Sequence, residues 1–182
     1  MIQSIAYAYP NETLDSSGAI TREDGESPLE GNLQSLSDGN LTTGALFVEG
    51  LGTLTMGFQP STVPATYPTD KVVVRYYIGE EVGKTVIQAT LRFYDEFGDI
   101  FTQVISTFTG PGGQWVEIDV AAVLPQSMVA ELSVDKIISL ALQTDVSATL
   151  ISEVNLAEYY SHGGKINLVS GLVKQASGII YL

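Results

Sequence analysis

Apolar and polar residues alternate with a period of two along much of the middle of this chain. In residues 85–94, the apolar residues Ile87, Ala89, Leu91 and Phe93 are separated by Gln88, Thr90 and Arg92. Successive side chains of a β-strand point to opposite faces of its sheet, so this pattern predicts a strand with one buried face. The intervening polar positions form the opposite face.

Similar alternation predicts a series of short strands, separated by turns rich in glycine, proline and aspartate. They cover residues 4–9, 53–58, 71–78, 100–108, 114–120, 137–144 and 148–159. Gly98 is suited to a positive φ in the hairpin loop of residues 95–99, and residues 126–136 favour a short helix. Many strands with one short helix predict an all-β, antiparallel β-sandwich and argue against a βαβ fold.

Residues 11–44 are polar and show no sustained period, so they are predicted to form a long loop region. In a compact domain such a loop is either functional or held by a neighbour. Acidic residues crowd the first 49 positions, where only Arg22 opposes them: Glu12, Asp15, Glu23, Asp24, Glu26, Glu30, Asp38 and Glu49. They form either a solvated face or a surface for a cation or a basic partner.

The end of the chain is apolar, whereas chain ends are usually polar. After a predicted hinge at residues 161–164, strand-like pieces run to the last position, with apolar residues Ile166, Leu168, Leu172, Ile179, Ile180 and Leu182. Apolar edge strands invite association. Residues 161–182 either add strands to the sandwich of residues 1–160 or form an interface arm that pairs with another subunit.

Composition narrows the range of functions. The chain of 182 residues has 21 acidic and 8 basic residues, a net charge of −13, so we expect no nucleic-acid partner. It has no cysteine, which excludes disulfides and thiolate metal sites. No stretch approaches the ~20 apolar residues of a membrane helix, and no signal peptide is visible.

Catalytic patterns are weak in this sequence. The single histidine, His162, lies in the predicted glycine-rich hinge, which is a poor support for a catalytic base. Asp95, Glu96 and Asp99 cluster in a predicted hairpin loop, where carboxylates usually remain solvated turn formers rather than an acid/base pair. We therefore expect a protein that is not an enzyme.

Two segments far apart in the chain carry a resemblance to a known fold family. One is Ser-Asp-Gly-Asn-Leu-Thr-Thr-Gly at residues 37–44, and the other is Ala-Thr-Leu-Ile-Ser-Glu-Val-Asn-Leu at residues 148–156. With the strands between them, they resemble the galactose-binding-like, discoidin-type β-sandwich of many carbohydrate-binding modules. The resemblance covers roughly residues 30–160 and implies a jelly-roll sandwich.

The same resemblance implies a structural calcium ion between the Asp-Gly loop and the closing strand. Carried over, Asp38 and Glu153 supply carboxylates, Thr43 a hydroxyl and the loop near Asn40 carbonyl oxygens. Calcium prefers oxygen ligands of these kinds. The alternative is that Asp38 and Gly39 only form a turn and that Glu153 is a surface residue.

One predicted strand face suits either a sugar or a protein partner. Residues 114–120 turn valine and isoleucine inward and leave Trp115, Glu117 and Asp119 outward, while Tyr94 and Arg92 are outward on another strand. An outward tryptophan is a platform for a pyranose ring or an interface anchor. The Asp-Gly loop lacks the aromatics that glycan-binding members of the family carry on loops, which favours the interface.

We therefore expect a structural protein of a larger assembly, working through strand pairing and apolar interfaces with other protein subunits. It is similar in character to accessory proteins of tailed-phage virions (head decoration, tail or baseplate). Such a protein would assemble in the host cytoplasm into the virion, without contact with a membrane. The alternative function is a carbohydrate-binding or host-attachment module.

Overall fold

The structure is a computed structural model, which describes residues 2–22, 34–58, 69–80, 83–94, 97–119, 138–162, 167–169, 172–175 and 178–181. The predicted helix at residues 126–136 lies outside these ranges. In the described part of the chain, no helix is long and apolar enough to span a membrane.

The described residues form antiparallel strands and a short 3-10 helix at Gln34–Leu36. The strands are β1 (Ile2–Ala8), β2 (Pro10–Arg22), β3 (Ala45–Phe58), β4 (Thr69–Ile78), β5 (Lys84–Tyr94), β6 (Ile100–Pro111), β7 (Gln114–Asp119), β8 (Ile138–Thr144), β9 (Thr149–His162), β10 (Asn167–Val169), β11 (Leu172–Gln175) and β12 (Gly178–Tyr181). The predicted antiparallel β-sandwich is confirmed.

Two long strands connect the layers of the sandwich. β3 pairs with β8 through Gly52–Phe58 and with β9 through Ala45–Phe47. Beyond that point β9 runs between β4 and β1. Layer A consequently has the order β6-β5-β8-β3-β2, and layer B has the order β1-β9-β4-β7.

The core lies between the two layers. On β5 the predicted inward positions are confirmed, since Ile87, Ala89, Leu91 and Phe93 are at most 1% exposed. Layer B contributes Val74, Tyr76, Ile78, Val154 and Leu156 to the same cluster. Burial raises the pKa of the Tyr76 phenol, because ionisation would leave a charge without water.

The prediction of a loop across residues 11–44 is wrong for its first part, because β2 extends through Arg22. Four register irregularities interrupt the β2–β3 ladder, so the strand repeatedly changes which residues face inward. Such bulges remove the regular alternation by which a strand is recognised in a sequence. At one of them Gly18 has a φ of 80°, and a Cβ there would collide with the Leu51 carbonyl oxygen.

The end of the chain forms its own three-stranded antiparallel sheet, β10-β11-β12. Leu168 lies opposite Val173, which lies opposite Ile180, while Leu172 lies opposite Tyr181. None of these strands, as far as they are described, is hydrogen-bonded into the larger sheet. Of the predicted interface residues, Leu168, Leu172, Ile179 and Ile180 lie in this sheet, whereas Ile166 and Leu182 are outside the described residues.

The predicted hinge at residues 161–164 is wrong for its first half. Ser161 and His162 are the last residues of β9 and pair with Gln3 and Ile2 of β1. Gly163 and Gly164 lie outside the described residues. β9 extends this far because β1 supplies a partner strand, which the local sequence does not reveal.

Candidate binding face

The face of layer B that points away from the core carries aromatic, basic, acidic and amide side chains. Along β4 the residues of this face alternate with the core residues. Their partners in register lie on β9 on one side and on β7 on the other. One row across the strands contains Glu153, Tyr77 and Trp115. The next contains Asn155, Arg75 and Glu117. We call this surface, together with Asp119 and Tyr9, the candidate face.

Trp115 is held on this face by two side chains of β4. The ring of Tyr77 meets the indole edge to face, with ring centroids 5.5 Å apart and an interplanar angle of 69°. The guanidinium carbon of Arg75 lies 4.3 Å from the indole centroid. Both geometries are favourable for an aromatic ring, whose face is negative and whose edge is positive. The indole is half-buried, so part of it stays accessible.

Arg75 also neutralises one carboxylate of the face. Its Nε lies 3.0 Å from Oε1 of Glu117, although it is not aligned for a hydrogen bond with a described residue. The Arg75 side chain is 17% exposed and that of Glu117 is 51% exposed. The guanidinium is therefore shared between an ion pair and the indole ring.

Two polar residues of β9 are buried on this outward face. Glu153 is 8% exposed and Asn155 is 2% exposed. The amide Nδ2 of Asn155 donates a hydrogen bond of 3.3 Å to Oε1 of Glu153. The amide oxygen Oδ1 of Asn155 has no partner among the described residues. A buried acceptor without a partner is costly and is uncommon in folded proteins.

Tyr9, directly after β1, lies at the other side of this cluster and is 42% exposed. Its pKa is raised, first by burial and then by the negative charge of Glu153, with a smaller contribution from Tyr7, while the Arg75 charge lowers it. In the β1–β9 ladder Ala8 lies opposite Leu156, so the chain at Tyr9 continues towards Asn155. Tyr7 lies opposite Ala157 in the β1–β9 ladder, so β1 adds aromatic side chains to the same side of layer B.

The structure brings some of the predicted site residues together and separates others. Trp115, Glu117 and Asp119 occupy successive outward positions on β7, next to β4. Tyr94 and Arg92 lie on β5 in layer A. There the Tyr94 hydroxyl is 3.0 Å from the hydroxyl of Ser139 on β8, and Arg92 is also opposite Ser139.

The sequence pattern alone does not single out four members of this face: Tyr9, Arg75, Tyr77 and Asn155. Arg75 and Tyr77 alternate with Val74, Tyr76 and Ile78 in the sequence, so their outward direction could be read from this pattern. The sequence does not show that β4 lies between β9 and β7, because their pairing joins residues far apart in the chain.

The Asp-Gly loop is closed by its own side chains. Oδ1 of Asp38 accepts a hydrogen bond from the Asn40 amide at 2.7 Å, and Oδ2 accepts one from the Thr43 hydroxyl at 2.9 Å. The hydroxyl of Ser152 on β9 donates to the Leu41 carbonyl oxygen at 2.7 Å and attaches the loop to the sandwich. Asp38, Asn40 and Thr43 are thus within one small loop.

Glu153, the fourth predicted calcium ligand, binds Asn155 on the candidate face, while its neighbour Ser152 binds the loop. Among the described residues, no group of three or more His, Cys, Asp or Glu side chains is arranged to hold a metal ion. The loop offers one carboxylate, one hydroxyl and carbonyl oxygens. Calcium at this loop stays a prediction.

The described residues that were considered for catalysis lie on different elements of the fold. His162 is part of the β1–β9 ladder. Asp99 is exposed in the β5–β6 hairpin, where Gly98 has the predicted positive φ, at 83°. Asp95 and Glu96 lie outside the described residues.

Comparisons with known proteins reveal only distant structural likeness. No protein-family model matches the chain, and no curated protein matches it. Among solved structures, it is similar to the enzymatically active domain of tailspike protein 4 of bacteriophage CBA120, with 8% identity and a TM-score of 0.39 over 86% of this chain. The match covers 19% of the tailspike chain.

Carbohydrate-binding modules are also among the similar structures. The C-terminal CBM6 of LamC, a marine laminarinase from Zobellia galactanivorans, has 10% identity and a TM-score of 0.36, covering 87% of this chain and 100% of the module. TmCBM61 in complex with β-1,4-galactotriose has 10% identity and a TM-score of 0.31, covering 82% of this chain and 89% of that one. Likeness of this size assigns no function.

Proposed function

We propose that this protein is a carbohydrate-binding module whose glycan lies on the candidate face. The observation that supports this most directly is the half-buried indole of Trp115, which Tyr77 and Arg75 hold in place beside the half-exposed carboxylate of Glu117. Ligand sites combine apolar or aromatic surface with a few fixed polar groups. A sugar needs both, because its ring faces are apolar and its hydroxyls require hydrogen bonds.

Each strand of the face contributes a different part of the recognition. β7 supplies the indole of Trp115, on whose accessible part a pyranose ring packs. β4 supplies Arg75, a donor for sugar hydroxyls that also fixes the orientation of the indole. β7 also supplies the exposed carboxylate of Glu117 as an acceptor, while on β9 Asn155 holds the buried Glu153. Because these groups stand on hydrogen-bonded strands, they need little reorganisation when a ligand binds.

The proposed activity is binding without catalysis. A hydrolase would need an acid and a base held in a cleft, or a metal ion. On this face the carboxylates of Glu117 and Glu153 are engaged with Arg75 and Asn155 respectively. Those contacts suit recognition of hydroxyl groups.

The test is a glycan array with the full chain, followed by titration calorimetry with the glycans that bind. Trp115→Ala is expected to reduce affinity at least about fivefold, because aromatic stacking contributes roughly 1–3 kcal/mol in comparable base-stacking sites. Phe97→Ala is the matched control, since Phe97 is 81% exposed and lies in the β5–β6 hairpin of layer A. Absence of any glycan binding, or equal binding by Trp115→Ala, would contradict the proposal.

A second candidate function is a structural component of a larger assembly, such as a virion. It is supported by exposed apolar side chains along β1, where Ile5 is 44% and Tyr7 is 47% exposed, and by the separate sheet of β10–β12. Exposed apolar surface of this kind favours protein contacts. In this function the candidate face and β1 would meet another subunit.

Sedimentation of the full chain tests the second function, with and without a calcium chelator. A defined oligomer that becomes a monomer when residues 165–182 are deleted would support assembly. Dissociation of the oligomer when the chelator is added would support calcium at the Asp38 loop. A monomer under all conditions would exclude self-assembly and leave glycan binding as the function to pursue.

A further inference from the structure

β6 forms one edge of layer A in the described structure. It pairs with β5 on one side, and no described strand is hydrogen-bonded to its other side. An edge strand presents a row of unpaired N–H and C=O groups, to which a strand of another chain can add. Proteins usually protect such an edge by keeping the strand short or by placing charged side chains, proline or bulges along it.

β6 has few of these protections. It is 12 residues long, whereas strands most often have about 5–6 residues. It contains no charged residue, and its one proline is its last residue, Pro111. The edge at β2 carries Glu12, Asp15 and four register irregularities, and β7 has six residues, of which Glu117 and Asp119 are acidic. β1 is also uncharged, but it has only seven residues.

Apolar side chains stay accessible on both faces of β6. Ile105 on the outward face is 56% exposed. On the inward face Val104 and Phe108 pack against the core but are only partly buried, whereas their partners on β5, Leu91 and Ile87, are at most 1% exposed. The core is therefore incompletely covered at this edge, and a further strand beside β6 would complete the cover.

We infer that β6 pairs antiparallel with β6 of a second copy of this chain, so that the two A layers form one continuous sheet. A two-fold axis through Ser106 places Ile105 opposite Thr107 of the second copy and Val104 opposite Phe108 of the second copy. The second pair lies on the core side and joins a β-branched with an aromatic side chain, a combination that stabilises antiparallel ladders. Because the two-fold contact is self-complementary and closed, it yields a dimer.

The charge distribution favours a second copy as the occupant of this edge. A net charge of −13 keeps copies apart unless the contact itself is uncharged, and β6 brings no charge to the contact. The bases of β5, Lys84 and Arg92, lie one strand further away. Three strand spacings separate the Arg92 positions of the two copies, at least about 14 Å, and salt screens charges at that separation. A charged peptide, by contrast, would find no partner for its charges on β6 itself.

Sedimentation velocity of the full chain over a range of concentrations tests this inference, and we expect a monomer–dimer equilibrium. Ile105→Lys should raise the dissociation constant of the dimer at least about tenfold, because it removes apolar contact at the seam and brings two lysines to diagonal positions across the axis. Leu51→Lys is the matched control, since it makes the same change at a 62% exposed leucine of β3. It should change the dissociation constant less than about twofold. Thermal unfolding checks that both variants fold.

Hydrogen exchange of the wild type gives a second measurement that does not depend on a variant. Amides of residues 101–109 should become more protected at concentrations at which the dimer forms. A monomer at all concentrations, an assembly larger than a dimer, unchanged protection of these amides, or equal dissociation constants in the two variants would overturn the inference. A dimer that survives Ile105→Lys but dissociates when residues 165–182 are deleted would also overturn it and assign the contact to the end of the chain. None of these outcomes decides glycan binding, because the candidate face lies on layer B.

Discussion

Arg75 and Trp115 are a diagonal pair on neighbouring strands, and the guanidinium carbon lies 4.3 Å from the centroid of the indole ring. Their partners in register are Glu117 and Tyr77 respectively. The four residues therefore form a closed group of two rings, one cation and one carboxylate. This group lies on the side of the β4–β7 pair that points away from the core, while Tyr76 and Ile78 lie on the core side.

Replacing Arg75 by alanine should loosen the indole. The lost cation–π contact is worth about 0.5–2 kcal/mol, and the mainly exposed partner Glu117 adds little. Trp115 is the single tryptophan of the chain, so its fluorescence reports this change directly. We expect a red-shifted emission maximum and a lower midpoint of urea unfolding. Arg92→Ala on β5 is the control, and a red shift of similar size in that variant would refute the assignment.

Replacing Asn155 by aspartate should destabilise the protein at neutral pH. The change removes the donor to Glu153 and places a second carboxylate in a position that is 2% exposed. An unpaired buried charge typically costs about 3–5 kcal/mol, and Arg75 opposite this position offsets part of that cost. Urea unfolding measures the difference. Asn11→Asp, at an exposed position of β2, should change the free energy of unfolding by less than about 0.5 kcal/mol. Equal stability of the two variants would show that the amide donor is dispensable.

Two glycines with similar φ should tolerate alanine differently. Gly18 has a φ of 80° and Gly39 a φ of 73°. Alanine at Gly39 meets nothing within 4 Å, so it carries only the left-handed backbone cost of about 1–2 kcal/mol. Alanine at Gly18 carries that cost and also collides with the Leu51 backbone. Thermal unfolding should show a clearly larger loss of stability for Gly18→Ala than for Gly39→Ala. Equal losses of stability would contradict the bulge at this point of the β2–β3 ladder.

Alkaline pH should destabilise the fold through Tyr76. Its pKa in the folded protein is raised above the usual value of 10.0 by burial. The unfolded chain therefore loses the phenolic proton first, so the contribution of Tyr76 is fully present below pH 10 and is lost as the pH rises above it. The free energy of unfolding should fall less steeply above pH 10 in Tyr76→Phe than in the wild type, since phenylalanine does not ionise. Parallel pH profiles of the two proteins would disprove this.

The regular strands could be read from the sequence because one face of each is buried by a single neighbouring layer. β5 shows this best, since every second residue from Ile87 to Phe93 is both apolar and buried. β2 could not be read in this way, because its bulges interrupt the alternation and backbone hydrogen bonds to β3 hold it in place. The outward position of Trp115 was also predictable from β7 alone.

The sequence by itself determined the fold class, since the period of apolar residues decides that strands form and which of their faces are buried. It also determined the acidic charge and the lack of thiol chemistry. Only the tertiary structure decided that Arg75, Trp115 and Asn155 share one face and that Tyr94 does not. The physical reason is that side-chain direction follows from local backbone periodicity, whereas strand neighbours are chosen by the packing of the whole core.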